Sequence, residues 1–341
     1  MNITFNYENL KLFYIGKEKT NEQTFNPLVY KNKDLTTHAA IIGMTGSGKT
    51  GLGISLLEEA TIDNIPSIII DPKGDMGNLL LTFPSLQGSD FEPWIEEQDA
   101  INNGLSISEI ALKTAQTWKN GVEADFQNQE RIQKLKDSAD FTIYTPGSAS
   151  GVQISILSSF KAPSTEVMED FELITSLINS TVSSILSLID EKNDSSSKEF
   201  VLISTIFMNS YSNQRDLTIE ELINNIINPS FSKVGVFDLE TFFPQSERLK
   251  LALKLNTIIA NPAFKSWIEG EPLDISNLLY DESGKAKVSI FSIAHLNDSQ
   301  RMFFVTLLLN QMVSWMRRQE VTTSLKALLY MDEIFGYFPP N

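Results

Sequence analysis

Cysteine is absent from this sequence, and histidine occurs only at His38 and His295. Without cysteine there is no disulfide, no thiol nucleophile and no thiolate zinc site. Two histidines far apart in sequence exclude a His-rich metal cluster. The first stretch, MNITFNYENLKLFYIGKEKT, lacks the basic start and apolar core of a signal peptide. No unbroken apolar run approaches the roughly 18 residues of a membrane span. These absences point to a reducing, cytoplasmic setting. Positive charge is also scarce, with 27 Lys and Arg against 43 Asp and Glu and a formal net charge of −16. So acidic a chain is not coated in non-specific nucleic-acid contacts, although a small basic channel is compatible with it.

What is present is a globular composition, 42% hydrophobic and 21% charged over 341 residues, enough for one large domain or two. The chain is organised around residues 37–51, THAAIIGMTGSGKTG. Gly43, Met44, Thr45, Gly46, Ser47, Gly48, Lys49 and Thr50 satisfy G-x-x-x-x-G-K-[ST] at every fixed position, and Gly51 follows. A chance match in a chain of this length is expected about once in a hundred. Glycines let the backbone turn tightly and aim successive N–H groups inward as an anion nest. A helix starting near Lys49 adds its N-terminal dipole. Lys49 then reaches the β- and γ-phosphates of ATP, and the Thr50 hydroxyl ligates Mg²⁺. The apolar run His38–Ile42 suits a buried strand, and Leu52, Ile54, Leu56 and Leu57 form the apolar side of the helix that follows.

Ile68, Ile69 and Ile70 form a β-branched run, hence a buried strand, stopped by Pro72 and Gly74. Asp71 then falls at the carboxyl edge of a parallel sheet, where ligands of open α/β sheets sit. It reads equally as a plain strand-end cap. Lys73 and Asp75 read as loop charges. Trp94, Trp118, Phe126 and Ile132 read as packing residues, because no basic run interleaves them.

Residues 141–144 suit another strand. Residues 164–230 are mostly helical by period, with a polar break at 190–197, and 247–280 continue helical. Residues 287–293 form a clear strand. The near-continuous apolar helix from Met302 to Met316 must be buried, and Arg317 and Arg318 suit its C-terminus. The last strand, residues 326–331, closes on Asp332-Glu333, the second half of an ATP site. Asp332 would hold Mg²⁺, and Glu333 would polarise the attacking water as general base.

Lys49 and Asp332 are 283 positions apart (332 − 49). Adjacent elements of one sheet do not need that distance, so small GTPases and simple kinases are excluded as close analogues. The expected architecture is α/β, a P-loop NTPase RecA-like parallel sheet with a large, mainly helical insertion between core strands. Residues 1–36 form a short β-rich lead-in, in which Asn26-Pro27 reads as a turn. Residues 37–75 and 286–341 form the ATPase core. Residues 76–285 form the insertion, with a core strand near 141–144.

Five runs carry a resemblance: residues 35–60, IPSIIIDPKGDMGNLLLTFP, YTPGS, FSIAHLNDSQRMFFVTLLLNQMVSWMRRQE and ALLYMDEIFGYFPP. Together they resemble the bacterial HerA-like ATPases of the HerA/FtsK superfamily across nearly the whole chain. The segment Asp71-Pro72-Lys73-Gly74-Asp75, and the Asp332-Glu333 ending with Gly336 and Pro339, add specificity to the phosphate loop. The resemblance implies a RecA-like sheet, ATP hydrolysis with Mg²⁺, a ring-shaped homo-hexamer, and translocation or unwinding of double-stranded DNA, often beside a nuclease or other effector. The family's phosphate-loop residues fall on Lys49 and Thr50, and its acidic pair on Asp332 and Glu333. Such rings take an arginine from the neighbouring subunit, with Arg131, Arg301, Arg317 and Arg318 as candidates. Family members continue past the acidic pair through a polar sensor strand. The expectation is therefore an excerpt, a truncated gene, or a second chain carrying the rest. Two readings stand beside the DNA motor: a secretion-type ATPase acting on protein, and a nucleotide-binding module without turnover of its own. His295 is either a γ-phosphate sensor or an ordinary turn histidine.

Overall fold

The computed structural model describes residues 11–20, 25–156, 160–191 and 194–337; Pro339 of the resembling ending lies outside them. Strands β1 (Leu12–Lys19) and β2 (Phe25–Lys31) form an antiparallel ribbon. Asn26-Pro27, expected as a turn, lies inside β2, with Pro27 opposite Lys17. A two-stranded ribbon has free edges on which a residue lacking N–H is tolerated. Phe13 is fully buried against Ala60 and Ile65 and ties the ribbon to helix α1 (Lys49–Ile62).

Four parallel strands make the central sheet: β3 (Ser67–Asp71), β4 (Ala139–Tyr144), β5 (Ala286–Ser292) and β6 (Leu328–Met331). Their spatial order is β6-β3-β5-β4. Successive side chains of a strand point to opposite faces. Ile68 and Ile70 accordingly enter the larger apolar core, while Ile69 enters the smaller core with Leu57 of α1. A strand covered on both faces reads as a continuous apolar run, which is why III stands here without alternation.

The expected strand at residues 38–42 does not form among the described residues. Ile42 is 92% exposed, and the run joins no ladder. Strand structure belongs to a pair of segments, and β6 is hydrogen-bonded on one side only, to β3, among the described residues.

Helices α2 (Ile107–Ala124) and α3 (Gln129–Ser138) precede β4. Ser106 and Glu109 cap α2 reciprocally. Trp118 sits edge-on to Phe83 at 5.6 Å and 5.5 Å from Phe91, a packing cluster. Between β4 and β5 lie α4 (Phe171–Leu188), α5 (Lys198–Ser212), α6 (Ile219–Ile227) and α7 (Gln245–Ala260). Helix α8 (Asp298–Arg317) follows β5 and buries Phe303, Phe304, Val305, Leu307, Leu308, Met312 and Trp315. Its ends are open, with Met302 41% and Met316 57% exposed.

Helix α4 is long and apolar enough to cross a membrane, with a mean hydropathy of 1.3 over its 18 residues, as the core helix of a globular domain can also be. Its Ile174, Ile178, Val182 and Ile185 lie in the same core as α8, and Asn310 of α8 donates to Ser180 and Thr181 of α4 at 2.9 and 3.1 Å.

The far end of α1 carries the acidic pair Glu58-Glu59. Burial pushes the half-buried Glu58 carboxyl up to about 7, with Glu59 adding to the rise and Arg131 opposing it. The folded state therefore binds this proton more tightly than the unfolded chain. The associated stability is fully present below the unfolded value near 4.5 and is lost as pH rises toward 7. Glu58→Gln is expected to remove that decline and to raise stability at pH 8 by about 1–2 kcal/mol. Urea unfolding of both proteins at pH 5 and pH 8 checks it, and equal slopes with pH would refute it.

Candidate nucleotide site

The phosphate loop has the conformation its glycines allow. Gly46 and Gly48 have φ of +80° and +90°, and Gly48 stands as the left-handed cap before Lys49 opens α1. A Cβ at Gly43 would collide with the Ser47 hydroxyl. The Ser47 N–H donates to the Met44 carbonyl at 3.1 Å and closes the turn. Lys49 Nζ donates to the same carbonyl at 3.1 Å, so the lysine lies back across the loop. Met44, Thr45, Gly46, Ser47 and Gly48 are all exposed, and Lys49 and Thr50 are half-buried in the first turn of α1.

Strands β3 and β6 are direct neighbours, so their carboxyl ends bring two distant segments together. Asp71 is buried and binds its own turn. Its Oδ1 accepts from the Lys73 and Gly74 N–H groups at 3.2 and 2.7 Å, and its Oδ2 from the Met76 N–H at 3.0 Å. This is the geometry of the strand-end cap: three backbone donors fill three of the roughly four acceptor positions of the carboxylate and fix its orientation at the end of β3.

Asp332 differs. It is 6% exposed, and its Oδ2 has no hydrogen-bond partner. Its Oδ1 accepts from the Tyr330 hydroxyl at 3.3 Å. A buried carboxylate oxygen without a donor is costly unless a cation or water reaches it, so this oxygen fits a hard divalent cation such as Mg²⁺. Tyr330 also packs on α1. A methyl placed on Gly53 would lie 2.7 Å from Tyr330 Cζ and 2.8 Å from Cε2. The missing side chain at Gly53 therefore lets β6 approach the helix that carries Lys49 and Thr50. Burial, with Asp332, Asp75 and Asp71 adding, holds the Tyr330 hydroxyl well above its ordinary value, so it stays protonated as a donor.

Glu333 follows at φ +47°, a left-handed conformation uncommon for a branched or long side chain. Its carboxylate is paired with the Lys73 ammonium. Lys73 holds the Glu333 carboxyl below the usual range, and Lys49 adds to the same effect. Glu333 in turn raises Lys73. The field of Lys49 thus reaches Glu333 across 284 positions of sequence (333 − 49). Lys73, Asp75 and Tyr330 belong to this cluster and were not among the expected site residues. The signal for them was proximity to the end of an apolar strand, which alone does not separate a ligand from a loop charge.

Two arginine candidates are engaged internally. Arg131 pairs with the buried Glu59 at 2.6 Å, and Arg301 donates to the Ile293 and Ala294 carbonyls at 3.2 and 2.8 Å. Arg317 and Arg318 are exposed at the end of α8. His295 Nε2 lies 2.8 Å from the Pro146 carbonyl oxygen, the contact of a turn histidine.

A family model described as "Helicase HerA, central domain" matches residues 13–312. The type 4 coupling protein DotL of Legionella pneumophila is 41% identical over 63 residues, 18% of this chain and 8% of DotL. The chain thus matches less than a tenth of that relative's length. No solved structure matches the chain.

Proposed function

From the premise that the chain belongs to the HerA helicase central-domain family, a family of P-loop ATPases, we propose that it is the motor subunit of a ring that hydrolyses ATP to move along double-stranded DNA. The observation that carries the reading is the convergence of the phosphate loop with Asp332 and Glu333 from the far end of the chain. Gly43, Met44, Thr45, Gly46, Ser47, Gly48 and Gly51 supply the backbone cradle of the loop and the start of α1. Lys49 leaves the Met44 carbonyl to meet the β- and γ-phosphates. Thr50 and Asp332 would hold Mg²⁺, whose chemistry is to neutralise charge on the β- and γ-oxygens. Glu333 orients a water in line with the terminal phosphate and takes its proton. The homo-hexamer, the cytoplasmic setting, a nuclease or other effector beside the ring, and a trans arginine drawn from Arg317 or Arg318 belong to the same proposal.

The test is ATPase rate with and without double-stranded DNA at low salt, alongside Lys49→Ala. Low salt matters because phosphate contacts weaken steeply as counterions rise. Stimulation by DNA, abolished by Lys49→Ala together with at least a hundredfold loss of ATP affinity, is the expected result. That loss is about 3 kcal/mol, the scale of charge-assisted contacts to phosphate. ATP turnover indifferent to DNA would defeat the DNA motor. It would favour the second reading, an ATPase of secretion type acting on protein, which the local identity with DotL supports.

A further inference from the structure

Lys73 and Glu333 are 260 positions apart and form an ion pair at the mouth of the site. The two ends are held differently. The backbone of Lys73 is pinned, because Asp71 accepts from the N–H groups of Lys73, Gly74 and Met76. Its side chain is half exposed, and a four-carbon stem can swing. Glu333 sits at φ +47°, a left-handed conformation that a non-glycine residue seldom adopts without support from its surroundings. The ammonium of Lys73 is the ion-pair partner of its side chain. The same contact occupies Oε1 of Glu333, one of the two oxygens able to take a proton from water.

We propose that the Lys73–Glu333 pair is a latch opened by the terminal phosphate of a bound nucleoside triphosphate. It rests on the nucleotide reading of this site. A terminal phosphate carries more charge than a carboxylate and offers three acceptor oxygens. Lys73 therefore exchanges Glu333 for the phosphate once a triphosphate lies in the loop. Glu333 is released to water only in that state. A diphosphate ends short of Lys73 and leaves the pair closed. Lys73 thus touches the terminal phosphate in the open state, and it acts on the attacking water through Glu333.

Binding measurements without turnover test the latch. A non-hydrolysable ATP analogue and ADP, each with Mg²⁺, are titrated into the wild-type chain, Lys73→Met, Glu333→Gln and the double variant. Both side chains are about half exposed, so folding is expected to be retained, and thermal unfolding of each variant checks it. Glu333→Gln removes the closed state and is expected to tighten the analogue about three- to fivefold, the scale of an exposed ion pair. Lys73→Met loses the phosphate contact and is expected to weaken the analogue about tenfold. In the Lys73→Met background, Glu333→Gln is expected to change nothing beyond about twofold, and ADP affinity to stay within about twofold throughout. Lys73→Arg is expected to restore the coupling. If Glu333→Gln tightens the analogue equally with and without Lys73, plain repulsion between carboxylate and phosphate is the cause and the latch is overturned. Equal effects on ADP overturn it as well. A wild-type chain that binds neither nucleotide overturns the site assignment itself, and the latch with it.

Discussion

Glu333→Gln is expected to keep nucleotide binding and to lower the rate of ATP hydrolysis by about two to four orders of magnitude, the usual contribution of a positioned general base. The amide is nearly isosteric with the carboxylate but takes no proton at neutral pH. The side chain is exposed and pairs with Lys73, so the substitution opens no cavity and strands no buried group. The effect should therefore appear in kcat, with dissociation constants for nucleotide unchanged or tighter. Single-turnover hydrolysis measured beside equilibrium binding separates the two. A Glu333→Gln variant that hydrolyses ATP at the wild-type rate would remove Glu333 as the base. The partnerless Oδ2 of Asp332 would still stand as the metal-facing oxygen.

The largest stability effect is expected at Arg131, far from the phosphate loop. Its guanidinium reaches the buried Glu59 carboxylate at 2.6 Å and Gln127 at 2.9 Å. The other oxygen of Glu59 accepts from the Tyr14 N–H at 2.9 Å. One carboxylate thus joins the N-terminal ribbon, the helix that begins at Lys49, and the segment leading into β4. Removing one member of a buried pair leaves the other charged and unpaired, which costs about 3–5 kcal/mol. Arg131→Ala is expected to lose that much stability at pH 8. Burial already raises the Glu59 carboxyl above its ordinary value, with Arg131 the first opposing influence. Without Arg131 it rises further, and the neutral acid forms more readily. The loss in Arg131→Ala should therefore shrink as pH falls, since the folded state then binds the proton more tightly than the unfolded chain. The paired change Glu59→Gln with Arg131→Met should be milder than Arg131→Ala alone, because no lone charge stays buried. Urea midpoints of the three proteins at pH 5 and pH 8 decide it. A uniform loss below about 1 kcal/mol would mean the pair is solvated like a surface bridge.

The phosphate loop was legible because its information is local. Eight consecutive residues set the turn, the left-handed glycines and the helix start, and no distant contact is needed to form them. Strands β3, β5 and β6 were legible for a related reason: β-branched and apolar runs too short for helices suit burial within a sheet. The parallel α/β class and the family follow from those runs and the two motifs they carry.

Tertiary structure decided the pairings. No property of residues 38–42 reports whether a neighbouring strand is there to receive them, and among the described residues the run joins no ladder. Asp71 and Asp332 look alike in sequence, each closing an apolar strand. Packing gives one three backbone donors from its own turn and leaves the other with a bare buried oxygen. Arg131 reads as one of four candidates for an arginine given to a neighbouring subunit until α1 brings Glu59 beneath it. Lys73 reads as a loop charge until the β3–β6 register sets it against Glu333. A motif written in consecutive residues carries its own geometry. A charge acquires its role from whichever group the fold places opposite it, and in this chain that group is often more than two hundred residues away.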